Sequence, residues 1–296
     1  MLLSEITLEL LAMQLLTGVA LGSIYALLAL GLCLIFGMLN VVNFAHGAFF
    51  MVGAFVGVYF MGLTGNFWIS LLLTVAVSGT LGLFTERFLV RRLYGRGIDY
   101  PLLLTFGLSY VLIEVIRLCF GIEGLPSITP RELRGAVNVG FGMFPKYRLF
   151  LIAATAIILF GIWFLIQKTR YGLIIKAGAV DQEIVKVLGI DIAKVWLLIF
   201  GLGCAIAGLS GILASPTRSV NPEMGIPILA ESFVVTVVGG MGSPVGAVIA
   251  GLLVGVIYSL TSLFFPDLAE LSIFIFMALV LLVRPQGLFG KPEAKA

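Results

Sequence analysis

The sequence predicts an all-α polytopic membrane protein of about eight transmembrane helices, with broken segments near residues 37–47 and 239–246. Composition is the first observation behind this reading. Of the 296 residues, 60% are hydrophobic and 11% charged, and the mean hydropathy is +1.17. A soluble domain lies nearer half apolar and a quarter charged. Spacing is the second. Apolar stretches fall at 10–37, 44–63, 67–90, 100–120, 149–166, 195–214, 226–241, 245–260 and 270–283. Each is near the roughly 20 residues that cross a bilayer, or reaches that length by borrowing from its flanks. Third, no segment shows the dyad alternation of a transmembrane barrel, so the spans are helices. The 36 glycines fit, because glycine lets membrane helices approach closely.

Taken in order, the N-terminus MLLSEITLELL has no Lys or Arg and carries Glu5 and Glu9, so it lacks the basic region of a cleaved signal peptide. The first break, GMLNVVNFAHG at 37–47, sets two asparagines and the chain's only histidine inside an apolar run. RRLYGRGIDYP is a short basic loop closed by Pro101. Residues 121–148 are rich in Gly and Pro and read as an ordered external loop; 171–195 read as a cytoplasmic loop. The second break, GGMGSPVG at 239–246, interrupts the run from Ile226 to Tyr258. Glycine weakens a helix and proline removes a donor, so neither break continues as an undisturbed helix. No linker divides the chain, and 1–296 is expected to be a single transmembrane domain.

Charge sets the orientation. Two thirds of the 18 Lys and Arg residues fall in 87–96, 168–194 and 284–295, which places those segments in the cytoplasm and puts 121–148 and 215–225 outside. The three cysteines, Cys33, Cys119 and Cys204, are scattered, which supports neither a disulfide framework nor a metal site. No phosphate-binding loop is present: Pro292 follows Lys291 in GLFGKPEAKA where Ser or Thr is needed. With one histidine and no clustered acids there is no catalytic triad, and the chain is expected not to be an enzyme.

Polar groups within the spans are few. Glu114 and Arg117 lie three apart on one helix face and are expected to pair. Glu231 marks either a functional position or an acid snorkelling to the outer surface. Each break reads either as part of a substrate pathway or as a tight turn at the cytoplasmic surface. In 171–195, Asp181 suits a helix cap, Gln182 and Glu183 its first turn, and Gly189 its stop. Ile184, Val185, Val187 and Leu188 then form an apolar surface with Lys186 among them. Such a helix either lies on the membrane or docks into a groove of a cytoplasmic partner.

Several long motifs occur together: GVALGSIYALLALGLCLIFGMLNVVNFAHGAFFMVGAF, GLIIKAGAVDQEIVKVLGID, AIAGLSGIL, NPEMG, VVGGMGSPVGAVIAGLLVGV and LVRPQGLFGKPE. In these the chain resembles, over nearly its full length, the membrane permeases of branched-chain amino acid (LIV-type) ABC importers, the H-type subunit more than the M-type. The resemblance implies a transport subunit in a bacterial inner membrane. Its implied partners are a second permease (a paralogue), two cytoplasmic ATPases, an external substrate-binding protein and membrane lipid, with no nucleic acid. No cofactor is implied in this chain, because the ATPases would bind ATP and Mg. Asp181, Gln182, Glu183, Ile184, Val185, Lys186, Leu188 and Gly189 would couple to the ATPases. Asn40, Asn43, His46 and Gly47, with Glu231, Thr236, Gly239, Gly240 and Gly242, would line or hinge the substrate pathway. Three positions depart from the pattern: Ala48 after AHG where an acid is common, Glu231 where a basic or small residue is usual, and Arg218 before NP. These leave urea, short amides and other small carboxylates as alternative substrates, and an ion-coupled transporter as the reading of a different class.

Overall fold

The computed structural model describes residues 7–127, 129–180 and 182–290, without the side chains of Val180 and Ile184. Asp181, Lys291 and Lys295 therefore lie outside the described residues. Within them the chain forms α1 Leu8–Leu39, α2 His46–Thr64, α3 Phe67–Phe88, α4 Asp99–Phe120, α5 Lys146–Lys168, α6 Arg170–Val180, α7 Gln182–Val187, α8 Ile192–Ala214, α9 Gly225–Gly239, α10 Pro244–Phe264 and α11 Ala269–Val283. A two-stranded hairpin, β1 Ala136–Asn138 against antiparallel β2 Met143–Pro145, sits in the loop before α5. Eight helical segments are long and apolar enough to cross a membrane, while α9 has 15 residues and is shorter. The fold class read from the sequence is borne out.

Local chemistry sets the helix ends. Gly65 takes a left-handed conformation at φ 64° and stops α2, its N–H donating to Met61 O at 2.9 Å. The next residue, Asn66, caps α3 by accepting from Trp68 N and Ile69 N. Asp191 accepts from Lys194 N at the start of α8.

Contacts gather the chain into two units, and the boundaries fall inside α1, α5 and α9. One unit runs up to Ala29, then Thr129–Ile158, then from Glu231 onward; the other is Leu30–Ile128 with Leu159–Ala230. In the first, α1 meets α10 through small residues. A Cβ on Gly22 would lie 2.8 Å from Gly251 O, and one on Gly255 would lie 2.3 Å from Gly22 Cα. Gln14 Nε2 donates to Ser259 O, and Ser259 Oγ donates to Gln14 O. In the second unit α2, α3 and α8 pack together. A Cβ on Gly53 would lie 2.2 Å from Gly208 Cα, and one on Gly211 would lie 2.0 Å from Phe50 O. Lipid tails are as apolar as leucine, so such backbone approach, not burial from water, holds membrane helices to one another.

Gly53→Val is therefore expected to cost at least about 1–3 kcal/mol of stability, since the backbone of α8 cannot yield as a flexible side chain would. Gly62 has open space around it, and Gly62→Val is the control. Thermal unfolding of the detergent-solubilised protein measures both. Equal midpoints for the two variants would refute this account of the packing.

Candidate functional site: two helix breaks and a short helix pair

The first break begins where Asn40 adopts φ 50°, a left-handed conformation that asparagine tolerates and that ends α1. Asn43 then organises the start of α2: its Oδ1 accepts from Ala45 N at 3.1 Å, and its carbonyl accepts from His46 N at 3.1 Å. The amide freed at Phe44 donates to Thr105 Oγ1 of α4 at 3.0 Å, and the Phe44 ring meets Phe106 edge-on. Without water, such freed groups must find protein partners. Asn43 is fully buried, and its Nδ2 has no hydrogen-bond partner among the described residues. His46 is also fully buried, its ring in space left by Gly31, where a Cβ would lie 3.1 Å from His46 Cε1. Asn40 is exposed.

At Gly47 the start of α2 abuts the start of α9: a Cβ there would lie 2.0 Å from Gly225 O. Further along α2, Gly57 lies against Ile212 near the end of α8. Residues 215–224 therefore do not stay at the level of the end of α8. They return along α2 by ten residues, about 15 Å at the helical rise of 1.5 Å. Two helix N-termini, each the positive end of its dipole, thus meet at Gly47 and Gly225.

The second break repeats the pattern. Gly240 is left-handed at φ 98° and donates to Val237 O at 3.1 Å. Ser243 Oγ accepts from Gly246 N at 3.2 Å, and Pro244 takes the first helical position of α10. A left-handed residue at 40 or 240 and a polar side chain at 43 or 243 that accepts from a nearby backbone amide thus bound each break. Gly239 and Gly240 are buried and Gly242 is exposed. Thr236 is buried and donates its hydroxyl to Ser232 O at 2.8 Å within its own helix. Glu231 is half-buried on α9. The candidate pathway residues of the first break belong to one unit, and those from Glu231 to Gly242 to the other.

The segment expected in the cytoplasm folds as the helix pair α6 and α7. Gly189, at φ 78°, ends α7 in a Schellman motif: its N–H donates to Lys186 O at 2.9 Å, and Ile190 N donates to Val185 O at 3.3 Å. The apolar surface read from the sequence is divided. Val185 is buried, whereas Val187 is 86% and Leu188 71% exposed; Glu183, Lys186 and Gly189 are exposed too. The inner side reaches α1. Gln182 Nε2 donates to Met38 O at 3.4 Å, and a Cβ on Gly178 would lie 2.7 Å from Met38 Cε. Met38 lies two residues before Asn40, so this pair bears on the helix end that leads into the first break.

Sequence reasoning passed over one buried charge. Glu86, near the end of α3, is fully buried and receives Arg91 through two bonds, Nε to Oε1 at 3.0 Å and Nη2 to Oε2 at 2.7 Å. Arg91 Nη2 also donates to Ala193 O of α8 at 2.8 Å, and the Tyr94 hydroxyl donates to Glu86 Oε1 at 3.3 Å. Burial, with the Glu86 carboxylate beside it, pushes the Tyr94 phenol well above its ordinary range, so it stays a neutral donor. The cluster ties α3 to the residues that follow α7. An acid late in an apolar run, with arginine five residues on, was the available signal. Glu114 and Arg117 pair as expected, and Arg117 also holds Glu223 at 3.0 Å beside an open cleft of about 480 Å³.

Arg91→Met would leave Glu86 charged and buried, and is expected to destabilise by about 3–5 kcal/mol. Glu86→Gln should cost less, because Arg91 is partly exposed and keeps Ala193 O. In thermal unfolding the double variant should be more stable than Arg91→Met alone. The reverse order would show that the pair does not behave as a buried ion pair.

Eight helical segments of membrane-crossing length among the described residues define a multi-pass membrane protein. Residues 14–284 match the family described as "Branched-chain amino acid transport system / permease component", and the chain belongs to that family. It is 30% identical to the high-affinity branched-chain amino acid transport system permease protein BraD of Pseudomonas aeruginosa, over 95% of this chain and 96% of that one. It is 29% identical to LivH, the corresponding permease protein of Escherichia coli (strain K12), with the same coverage. The resemblance to the H-type permeases is thus borne out. Among solved structures, PsaBC from Streptococcus pneumoniae in complex with Fab shares the fold, with a TM-score of 0.50 and 14% identity over 90% of this chain and 89% of that one.

Proposed function

We propose that this chain is a membrane-spanning subunit of an ATP-driven importer in a bacterial inner membrane, moving branched-chain or other apolar amino acids into the cell. The observation that carries this reading is the bare apolar face of the cytoplasmic pair. Val187 and Leu188, with Tyr171 and Leu173 on α6, are all more than two-thirds exposed on segments outside the membrane spans. Family membership and the missing nucleotide motif point the same way: the energy source lies in partner subunits. Two cytoplasmic ATPases that bind ATP and Mg would receive this face in a groove, as an amphipathic helix is received. A paralogous permease would complete the pathway, and an external binding protein would deliver the solute.

Coupling then has a direct route. The outer face of α7 engages the ATPase, while its inner face, with Gln182 and Val185, rests on the protein beneath. Gln182 and Gly178 bear on Met38, so displacement of the pair moves the end of α1 and the first break with it. Asp181, Glu183, Ile184, Lys186 and Gly189 belong to the same coupling element. Asn40, Asn43, His46, Gly47, Glu231, Thr236, Gly239, Gly240 and Gly242 form the hinge and wall of the pathway.

Burying each exposed leucine or valine contributes about 1.5–3 kcal/mol. Val187→Asp with Leu188→Asp should therefore reduce ATPase co-purification at least about tenfold while the membrane part stays folded. Gln182→Ala should keep the ATPase bound and lower transport. Undiminished co-purification by the double Asp variant would overturn the docking assignment. Uptake of labelled leucine against labelled urea by the assembled importer decides the substrate class.

A further inference from the structure

The C-terminal stretch VRPQGLFG, marked in the sequence only by its family likeness, is folded onto the second break. Gly287 N donates to Arg284 O at 2.9 Å, closing a turn with Pro285 second and Gly287 fourth, positions these residues favour. Arg284 Nη1 braces the turn by donating to Leu288 O at 3.3 Å. Leu288 N then donates to Val238 O at 2.8 Å, and Phe289 N to Gly239 O at 3.1 Å. Those two carbonyls belong to the last turn of α9, whose own helix offers them no donor because the break stops it. Glycines make the approach close. A Cβ on Gly287 would lie 2.5 Å from Val237 O and 2.7 Å from Gly240 Cα, and one on Gly240 would lie 2.4 Å from Gly290 N. A Cβ on Gly246, in the first turn of α10, would lie 3.0 Å from Phe289 Cβ. The turn therefore touches both sides of the break.

The two breaks share this arrangement: a carbonyl in the last turn of the preceding helix, Met38 O or Val238 O, accepts from a segment on the cytoplasmic side by charge. At the first break that segment is the coupling pair. At the second it is the chain's own C-terminal turn.

We propose that residues 284–290 are a backbone latch that fixes the elbow between α9 and α10 and so sets the turnover of transport. The turnover half rests on the importer reading above; the latch itself does not. The test uses the full chain assembled with its partner subunits in lipid nanodiscs. Amides 288 and 289 should exchange with deuterium at least about tenfold more slowly than an open chain. Removing the latch by truncation after Pro285, or straining it by Gly287→Val, should raise exchange in 236–246 by at least about tenfold. Truncation after Gly290 keeps the latch and should leave exchange and turnover unchanged. Truncation after Pro285 should lower kcat for uptake about tenfold with KM for the amino acid unchanged, a split that general unfolding does not produce. Open-chain exchange at 288 and 289 in the intact protein, or full turnover without residues 286–290, would overturn the proposal. If Gly287→Val fails to fold, the truncation pair decides. If the intact assembly imports no amino acid, the importer reading fails while the exchange data still decide the latch.

Discussion

A helix that stops inside a protein surrounded by lipid leaves carbonyls and amides that no water reaches, and each costs several kcal/mol unless the protein supplies a partner. The chain stops helices at residues 40–45 and 240–243, and protein groups partner much of the backbone that those stops free. Asn43 takes the amide of Ala45 just before α2, Ser243 caps α10, and Thr105 takes the stray amide of Phe44. Gln182 and the amides of Leu288 and Phe289 take carbonyls of the helices that precede. The α6–α7 pair and the C-terminal turn are thus part of the backbone accounting of the long apolar helices. An element that completes such an account cannot move without disturbing the helix it completes.

Glycine serves the same constraint from the other side. Backbone reaches backbone where the Cβ is missing, as at Gly47 with Gly225 and at Gly240 with Gly290. In the first case two helix N-termini come together; in the second a turn reaches orphan carbonyls. Larger residues would hold these backbones too far apart to meet. The glycine content that first marked the chain as a membrane protein therefore also determines where its breaks can be tied down.

Much of the fold was legible because it follows from local rules. The spans could be counted from apolar length, and the breaks could be placed by Gly, Pro and amide residues in apolar runs. The stop at Gly189 could be named because a left-handed position after a short helix favours glycine. Less was legible where the answer depends on a distant partner. Val185 and Val187 are equally apolar, and nothing in their spacing says that the first turns inward and the second outward. Glu86 looked like one more charge near a basic loop, and only the fold brings Arg91, Tyr94 and Ala193 O to it. Likewise RPQG announces a turn, but its sequence does not say that the turn closes on α9.

The same distinction bears on what the break residues do. A side chain that touches a passing solute must have a polar group turned toward the path. In this conformation the Thr236 hydroxyl is committed to Ser232 O, His46 is sealed in the space beside Gly31, and Gly47 is pressed on Gly225. None of the three presents such a group to a solute. What they make in this conformation is close packing at a helix end and a bond within one helix. The Asn43 amide is different. It is buried and its Nδ2 has no hydrogen-bond partner among the described residues, so it is the polar group of this break that the fold leaves uncommitted.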